Sequence, residues 1–337
     1  MAMPSMPSRS SLRPLVEWPT LGMVALCYGG LWAVLAWTDS LGTVLSVPLL
    51  AVFIALHSSL QHEVLHGHPF RSQALSEGLI FPAVGLFVPY LRFKDLHLKH
   101  HHDPDLTDPY DDPESNYMDP VAWARLPRWL RAVYRFNNLL LGRMVLGPGL
   151  SLWTLYVEDA AAIMRGEARV RQAYVLHVLG LVPVLVIVSL SAVPLWAYAV
   201  AAYLGFSLLK IRTFLEHRAH EKVPGRTVII EDRGPLSWLF LNNNFHSVHH
   251  CHPGVPWYRL PAIFAERRAQ FLERNRSYFY RSYGELFRQF FLRAKDPVPH
   301  PLMSDAPALE KIETVDMLGA LDQSPRGVAS NHRPKSV

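Results

Sequence analysis

Histidine raises the first chemical question. The chain carries 17 histidines in 337 residues, and most fall in four tight clusters: HEVLH (His62, His66), HLKHH (His97, His100, His101), EHRAH (His217, His220) and HSVHH (His246, His249, His250). In a helix, spacings of three and four residues put side chains on one face a turn apart, the arrangement of a chelate. Neutral imidazole suits Fe, Zn, Cu and Ni, whereas thiolates favour zinc or iron–sulfur and all-oxygen sites favour Mg or Ca. So many clustered imidazoles exceed the coordination of one ion, so the pattern asks for two metals held almost wholly by nitrogen. Two copies of H-x-x-H-H in one chain are a chance event of order one in a thousand at this histidine content, whereas a single copy would be weak evidence.

Elements at a membrane must position these clusters. Half of the chain is apolar and 18% is charged, and the distribution is uneven. No Lys or Arg occurs from Pro14 to Phe70, and no charged residue occurs from Gln172 to Leu209. Each window holds two runs of roughly 20 residues, enough to cross a hydrocarbon core of about 30 Å as helices. The expected fold is therefore all-α: a polytopic membrane protein with four transmembrane helices in two hairpins, at about 19–38, 41–61, 172–191 and 194–213. The short turns inside the hairpins carry no basic residue, so by the positive-inside rule both termini and all large loops are expected to be cytoplasmic. Each cluster would then face the same side, beneath a cytoplasmic helical cap. The segment LIFPAVGLFVPYL (79–91), broken by Pro82 and Pro89, is too short to span and is read as re-entrant or flat. The run 136–157, with Arg143 and Gly-Pro-Gly at 147–149, is read as interfacial.

Net charge is +5. Basic residues interleave with Trp, Tyr and Phe in stretches such as WARLPRWLRAVYRF (123–136), which suits lipid headgroups. No nucleic-acid-reading module accompanies the charge, so nucleic acid is excluded as a partner. Cys27 and Cys251 form no pattern, and no disulfide framework is implied. The organisation read from this is a cytoplasmic segment at 1–18, a membrane domain at 19–295 and a disordered tail at 296–337.

The order H-x-x-x-H, H-x-x-H-H, H-x-x-H-H, with a transmembrane hairpin before the last box, resembles the histidine-box superfamily of membrane fatty acid desaturases and hydroxylases. The likeness runs from about Leu41 to Pro261 and includes the N-N-F-H-x-x-H-H approach to the last box and the P-W-Y-x-L-P after it. The resemblance implies a non-haem di-iron oxidase with two iron ions, O2 as co-substrate and a lipid acyl chain as substrate. It assigns His62, His66, His97, His100, His101, His246, His249 and His250 as ligands. Glu216-His217 is similar to an element that supplies a further ligand in related enzymes, which favours His217 over His220 as the ninth.

Metal-bound imidazoles usually hand their second N–H to a carboxylate or carbonyl. Asp103, Asp105, Asp108, Glu63, Glu216, Asp232 and Asn244 are candidates for that role, with His220 flanking. His57 and His177 read as buried polar residues of the bundle, and His300 as solvated tail.

The expected activity is O2-dependent attack on an unactivated C–H, with fatty acid desaturation as the first choice. Lipid or alkane hydroxylation and carotenoid ketolation or hydroxylation are the alternatives within the superfamily. Electrons would come from a separate donor of ferredoxin, rubredoxin or cytochrome b5 type. An intramembrane zinc protease is a rival from another class, because HEVLH is also H-E-x-x-H with Glu63 as base, and a non-catalytic metal carrier is a third. The expected location is a bacterial inner membrane with a cytoplasmic metal site.

Overall fold

The computed structural model describes residues 15–102 and 106–303. Its main helices are α1 (Trp18–Ala36), α2 (Thr43–Leu65), α3 (Tyr90–His102), α4 (Leu140–Met164), α5 (Ala168–Ser189), α6 (Leu195–Thr213) and the short α7 (His246–Cys251). Among the described residues, strand is limited to two parallel two-residue pieces, Ile229–Ile230 and Phe279–Tyr280.

Helices α1, α2, α4 and α5 are long and apolar enough to cross a membrane by length and composition. The sequence reading differs in one member, taking 194–213 and leaving 136–157, most of which lies in α4, interfacial. The reason lies in charge placement. Lys210 and Arg212 occupy the last turn of α6, whereas Arg143, Glu158 and Asp159 sit toward the two ends of α4 and leave a clean apolar centre.

The α2–α6 contact carries the bundle. Ala197, Ala201 and Gly205, spaced by four, form a small-residue stripe on α6 against the buried Ala51, Ile54 and Ala55 of α2. A Cβ on Gly205 would lie 2.9 Å from Ile54 Cγ2 and 3.0 Å from the Ala51 carbonyl, so only glycine permits this approach. Close packing of small residues is the usual driving contact between helices in lipid, where burial of apolar surface offers little gain.

Residues 81–89 are non-helical, as the two prolines require. Backbone without a helical ladder survives among membrane helices only if its polar groups find partners in the protein. Side chains from α4, α5 and α6 supply several of them, and one from α1 secures Leu79 just before the segment. Tyr28 donates to the Leu79 carbonyl at 2.7 Å, Tyr198 to Val84 at 3.0 Å and Tyr156 to Phe87 at 2.7 Å. His177 Nε2 lies 2.8 Å from the Leu86 carbonyl, and the Ala83 amide donates to Gly180 at 3.0 Å. The segment is thus tucked between helices, and His177 and His57, the latter 3.1 Å from Tyr28 Oη, take the bundle roles expected of them. Tyr198→Phe leaves the Val84 carbonyl buried without this donor and is expected to cost about 1–3 kcal/mol, read as a lower thermal midpoint in detergent with the fold intact.

After α6 the chain builds a cap whose apolar centre contains Phe245, Val248, Leu260, Phe264 and Phe271. The start of the expected tail belongs to the packed structure. The Met118 amide donates to the carbonyl of the buried Val298 and the His300 amide donates to the Met118 carbonyl, and His300 lies 5.0 Å from the Tyr117 ring with Nε2 3.3 Å from Thr107 Oγ1. His300 is therefore buried rather than solvated. Residues 304–337 lie outside the described residues.

Candidate metal centre

Nine imidazoles converge as two groups. One comprises His62, His66, His97, His101 and His249; the other comprises His100, His217, His246 and His250. Within each group the candidate ligand atoms all lie within 4.8 Å of one another.

Helical periodicity explains the partition. Residues at i and i+4 are about 40° apart around a helix, while i+3 falls on the other side of i by about 60°. In α3, His97 and His101 therefore share the five-membered group and His100 points into the four-membered one. In α7 the same motif acts in the opposite sense, with His246 and His250 together and His249 across. The last turn of α2 gives His62 and His66 to one group, and the turn after α6 gives His217 to the other. Val248, between the α7 histidines, faces the apolar cap and is fully buried, which fixes the rotation of the helix.

The spacings test whether an ion fits. His97 and His101 Nε2 are 3.0 Å apart, and His101 and His249 Nε2 3.1 Å. In the other group His217 Nε2 lies 2.9 Å from that of His100 and 3.1 Å from that of His246, which is 3.1 Å from His250. Donors bonded at about 2.1 Å to one ion are separated by roughly 3.0–3.4 Å in octahedral or tetrahedral geometry. His62 Nε2 is buried with no hydrogen-bond partner.

The outer nitrogens explain why these lone pairs face inward. His97 Nδ1 lies 2.6 Å from Glu114 Oε1, His100 Nδ1 2.8 Å from Asp112 Oδ1, and His246 Nδ1 3.2 Å from Asn243 Oδ1. An imidazole that donates from Nδ1 presents a lone pair at Nε2. Several such lone pairs aimed at one another repel unless a cation lies between them, so the donor set fits a pair of ions. The rings of His101 and His250 stack at 4.2 Å, bringing the two groups together.

Carboxylate partners were only partly legible. Asp112 and Glu114 orient His100 and His97, and sequence reasoning missed both; Asp103 and Asp105 lie outside the described residues. Asp108 instead accepts from the Tyr110 and Asp111 amides in a turn. Asp232 caps the Gly234–Ser237 turn and accepts from the Tyr283 amide, and Asn244 donates to the Ile230 and Asp232 carbonyls; these two build the loop leading to α7. His220 lies apart, its Nδ1 accepting from the Lys222 amide. Glu216 pairs with Arg212 at 3.0 Å, accepts from Asn243 at 3.1 Å and lies 3.7 Å from His246 Nδ1. Glu63 accepts from the Trp257 amide at 2.9 Å and faces His68, so it is not placed as a base beside His62 and His66, as a zinc protease requires.

Burial, reinforced by neighbouring imidazoles, holds His66, His217, His246, His249 and His250 well below the usual imidazole range. They are neutral and ready to bind metal. Burial also opposes charge on His100, but Glu114 and Asp112 outweigh it and push this group up to about 9. Burial alone would raise Glu114, yet His100 and His97 hold it well below the carboxylate range. For the depressed histidines the unfolded chain takes up protons first, so stability is lost as pH falls below about 6.5. His100 has the opposite sign, contributing fully below that value and losing its contribution as pH rises through about 9. Five groups against one set the balance. The metal-free chain is therefore expected to melt at a lower temperature at pH 5 than at pH 7.5, measured by thermal unfolding in chelator.

A cavity of about 490 Å³ joins this centre to the bundle. It runs from Ile54 and Gly205 at the α2–α6 contact, past Ser58 and Gln61, to Glu216 and His217.

The family model described as fatty acid desaturase matches residues 38–282. The chain belongs to the fatty acid desaturase family. Within that superfamily it is also similar to the beta-carotene ketolase of Paracoccus sp. (strain N81106 / MBIC 01143), at 27% identity over 240 residues, covering 68% of this chain and 79% of the ketolase. The desaturase-family chain is accordingly a membrane oxidoreductase acting on lipid, in a superfamily whose members are generally di-iron.

Proposed function

We propose that the protein is an O2-dependent oxidase that attacks an unactivated C–H of a lipid chain using two iron ions, with acyl-chain desaturation as its reaction. The observation that carries this reading is the pair of all-imidazole groups at the end of a cavity leading from between the membrane helices. His62, His66, His97, His101 and His249 would hold one iron, and His100, His217, His246 and His250 the other. When bound, reduced iron supplies the O2 activation that breaking such a C–H demands. The chain's own part is to fix the imidazoles through Glu114, Asp112 and Asn243, to aim the lipid along the cavity, and to keep bulk water from the reacting carbon.

Desaturation removes two hydrogens from the chain and reduces O2 to two waters, which consumes two further electrons and two protons. A separate ferredoxin, rubredoxin or cytochrome b5-type protein is the proposed donor. Similarity to the ketolase favours a second reading, in which a carbon of the lipid gains oxygen instead.

The proposed orientation has α1, α2, α5 and α6 spanning a bacterial inner membrane, with the metal centre and both termini cytoplasmic. Contacts at the two ends of α4 support its lying along the interface. Arg143 bonds to Asn116, two residues from Glu114, and Asp159 pairs at 2.7 Å with Arg92 on α3. A 25-residue helix is about 37 Å long, and a perpendicular one could not reach the layer of the metal centre at both ends.

The test is lipid mass spectrometry of a host expressing the protein, against one expressing His249→Ala. A product lighter by two hydrogens supports desaturation, and one heavier by an oxygen supports hydroxylation. Gain of one oxygen with loss of two hydrogens supports ketone formation. Identical lipids in the two hosts would overturn the oxidase reading.

A further inference from the structure

A second groove, of about 690 Å³, lies apart from the metal centre, between the first turns of α1 and the cap. No described residue lines both it and the cavity that reaches the histidines. Pro19, Gly22 and Met23 form its α1 wall, and Ala262 and Ala265 border it from the cap.

Two donors at this groove lack an acceptor. Trp257 is 3% exposed and its indole Nε1–H is buried without a hydrogen-bond partner, although a buried indole N–H usually finds one. Arg233 is exposed, and among the described residues no carboxylate oxygen lies within 4 Å of its guanidinium. It is also the one charged residue among the described residues that line the groove. A lone guanidinium and an unused N–H complement a phosphate, which brings negative charge and several acceptor oxygens.

The rest of the groove suits a hydrocarbon chain at the edge of a bilayer. A Cβ on Gly22 would meet nothing within 4 Å, and Leu26 and Gly29 continue this exposed face one and two turns further along α1. Helix α1 is long and apolar enough to cross a membrane and begins at Trp18, so its first turns stand at the depth of the headgroups. Trp18 and Trp238, 74% and 57% exposed, are aromatic residues of the kind that collect at that depth.

We propose that this groove binds a phospholipid, with its phosphodiester on Arg233 and Trp257 and an acyl chain along the Gly22 face of α1. The site does not depend on the oxidase reading, and the lipid it holds is a resident rather than a substrate, because the groove shares no wall with the cavity at the metal centre. Its walls reach the histidine boxes from outside. The Trp257 amide donates to Glu63, the neighbour of His62, and Asn242 precedes the Asn243 that meets His246. A lipid seated here braces the cap against the bilayer where the cap carries the last box.

The test is binding to the purified, delipidated, iron-loaded full chain in detergent, read by native mass spectrometry. The probes are dioleoyl phosphatidylglycerol, dioleoylglycerol and inorganic phosphate. One phosphatidylglycerol per chain should bind, about tenfold more tightly than dioleoylglycerol, the scale of one charge-assisted hydrogen bond. Arg233→Gln and Trp257→Phe should each weaken that binding, and Gly22→Leu, which fills the groove without meeting another atom of the fold, should exclude the lipid. Iron content should be unchanged in all three. Arg125→Gln, at an exposed arginine that does not line the groove, should bind as wild type does. Equal binding of the two dioleoyl probes, phosphatidylglycerol binding undiminished in Arg233→Gln or Gly22→Leu, or its displacement by inorganic phosphate would overturn the site. Dimers that Gly22→Leu dissolves would also overturn it, by assigning the groove to a second copy of this chain.

Discussion

Replacing His249 with alanine is expected to abolish product formation while the chain still folds and inserts. His249 is buried, and its Nε2 lies 3.1 Å from that of His101 within the five-histidine group. Its loss removes one of the donors that would hold the first iron, and no other described side chain stands ready to replace it. The effect should exceed the 10–100-fold losses typical when only the partner of a metal ligand is changed. Folding should suffer far less, because α7 is held by Val248 in the cap rather than by its histidines. Product yield per inserted protein, from mass spectrometry and quantitative blotting, measures both. Full retention of product would remove His249 from the site.

Glu114→Gln is expected to lower iron affinity by about 10–100-fold. The substitution preserves size and an acceptor oxygen but removes the charge that now sits 2.6 Å from His97 Nδ1. With that charge gone, His97 is a poorer donor, and the inward lone pair at its Nε2 is less firmly set. Asp112→Asn should act in the same direction on His100, through the 2.8 Å contact. Asp108→Asn is the control: Asp108 accepts the Tyr110 and Asp111 amides in a turn rather than meeting a histidine of either group and should leave affinity unchanged. Competition with a chromophoric chelator reads the order, and equal affinities for Glu114→Gln and Asp108→Asn would remove the orienting role.

How much of this was legible depended on range. Spacings of three and four residues are local, so the histidine boxes could be read directly, and their division between two groups follows from helix geometry once α3 and α7 are known. His217 was favoured over His220 on resemblance alone, and the structure puts it among the imidazoles while His220 turns to the Lys222 backbone. The choice among the acids of DPDLTDPYDDPE was not legible. Every second residue there is a plausible acceptor, and which carboxylate turns inward depends on a loop conformation that brings Asp112 back to Thr107 as well as to His100. Asn244 looked attractive because it neighbours the last box, but Asn243 is the residue that meets His246; one position along an irregular turn reverses the direction of a side chain. The packing of residues 296–300 was equally hidden, since it arises from pairing with Met118, far away in the chain. Membrane spans were legible through apolar length, but between α4 and α6 length and composition do not decide, because they do not see the contacts at a helix's ends.

Nitrogen donors from four distant segments stand ready to hold two irons at adjacent positions. X-ray absorption at the iron edge on purified protein, combined with metal analysis, tests it most directly. Two irons per chain are expected, each surrounded by nitrogen at about 2.1 Å and without sulfur. One metal per chain, zinc in place of iron, or coordination dominated by carboxylate oxygen would contradict it.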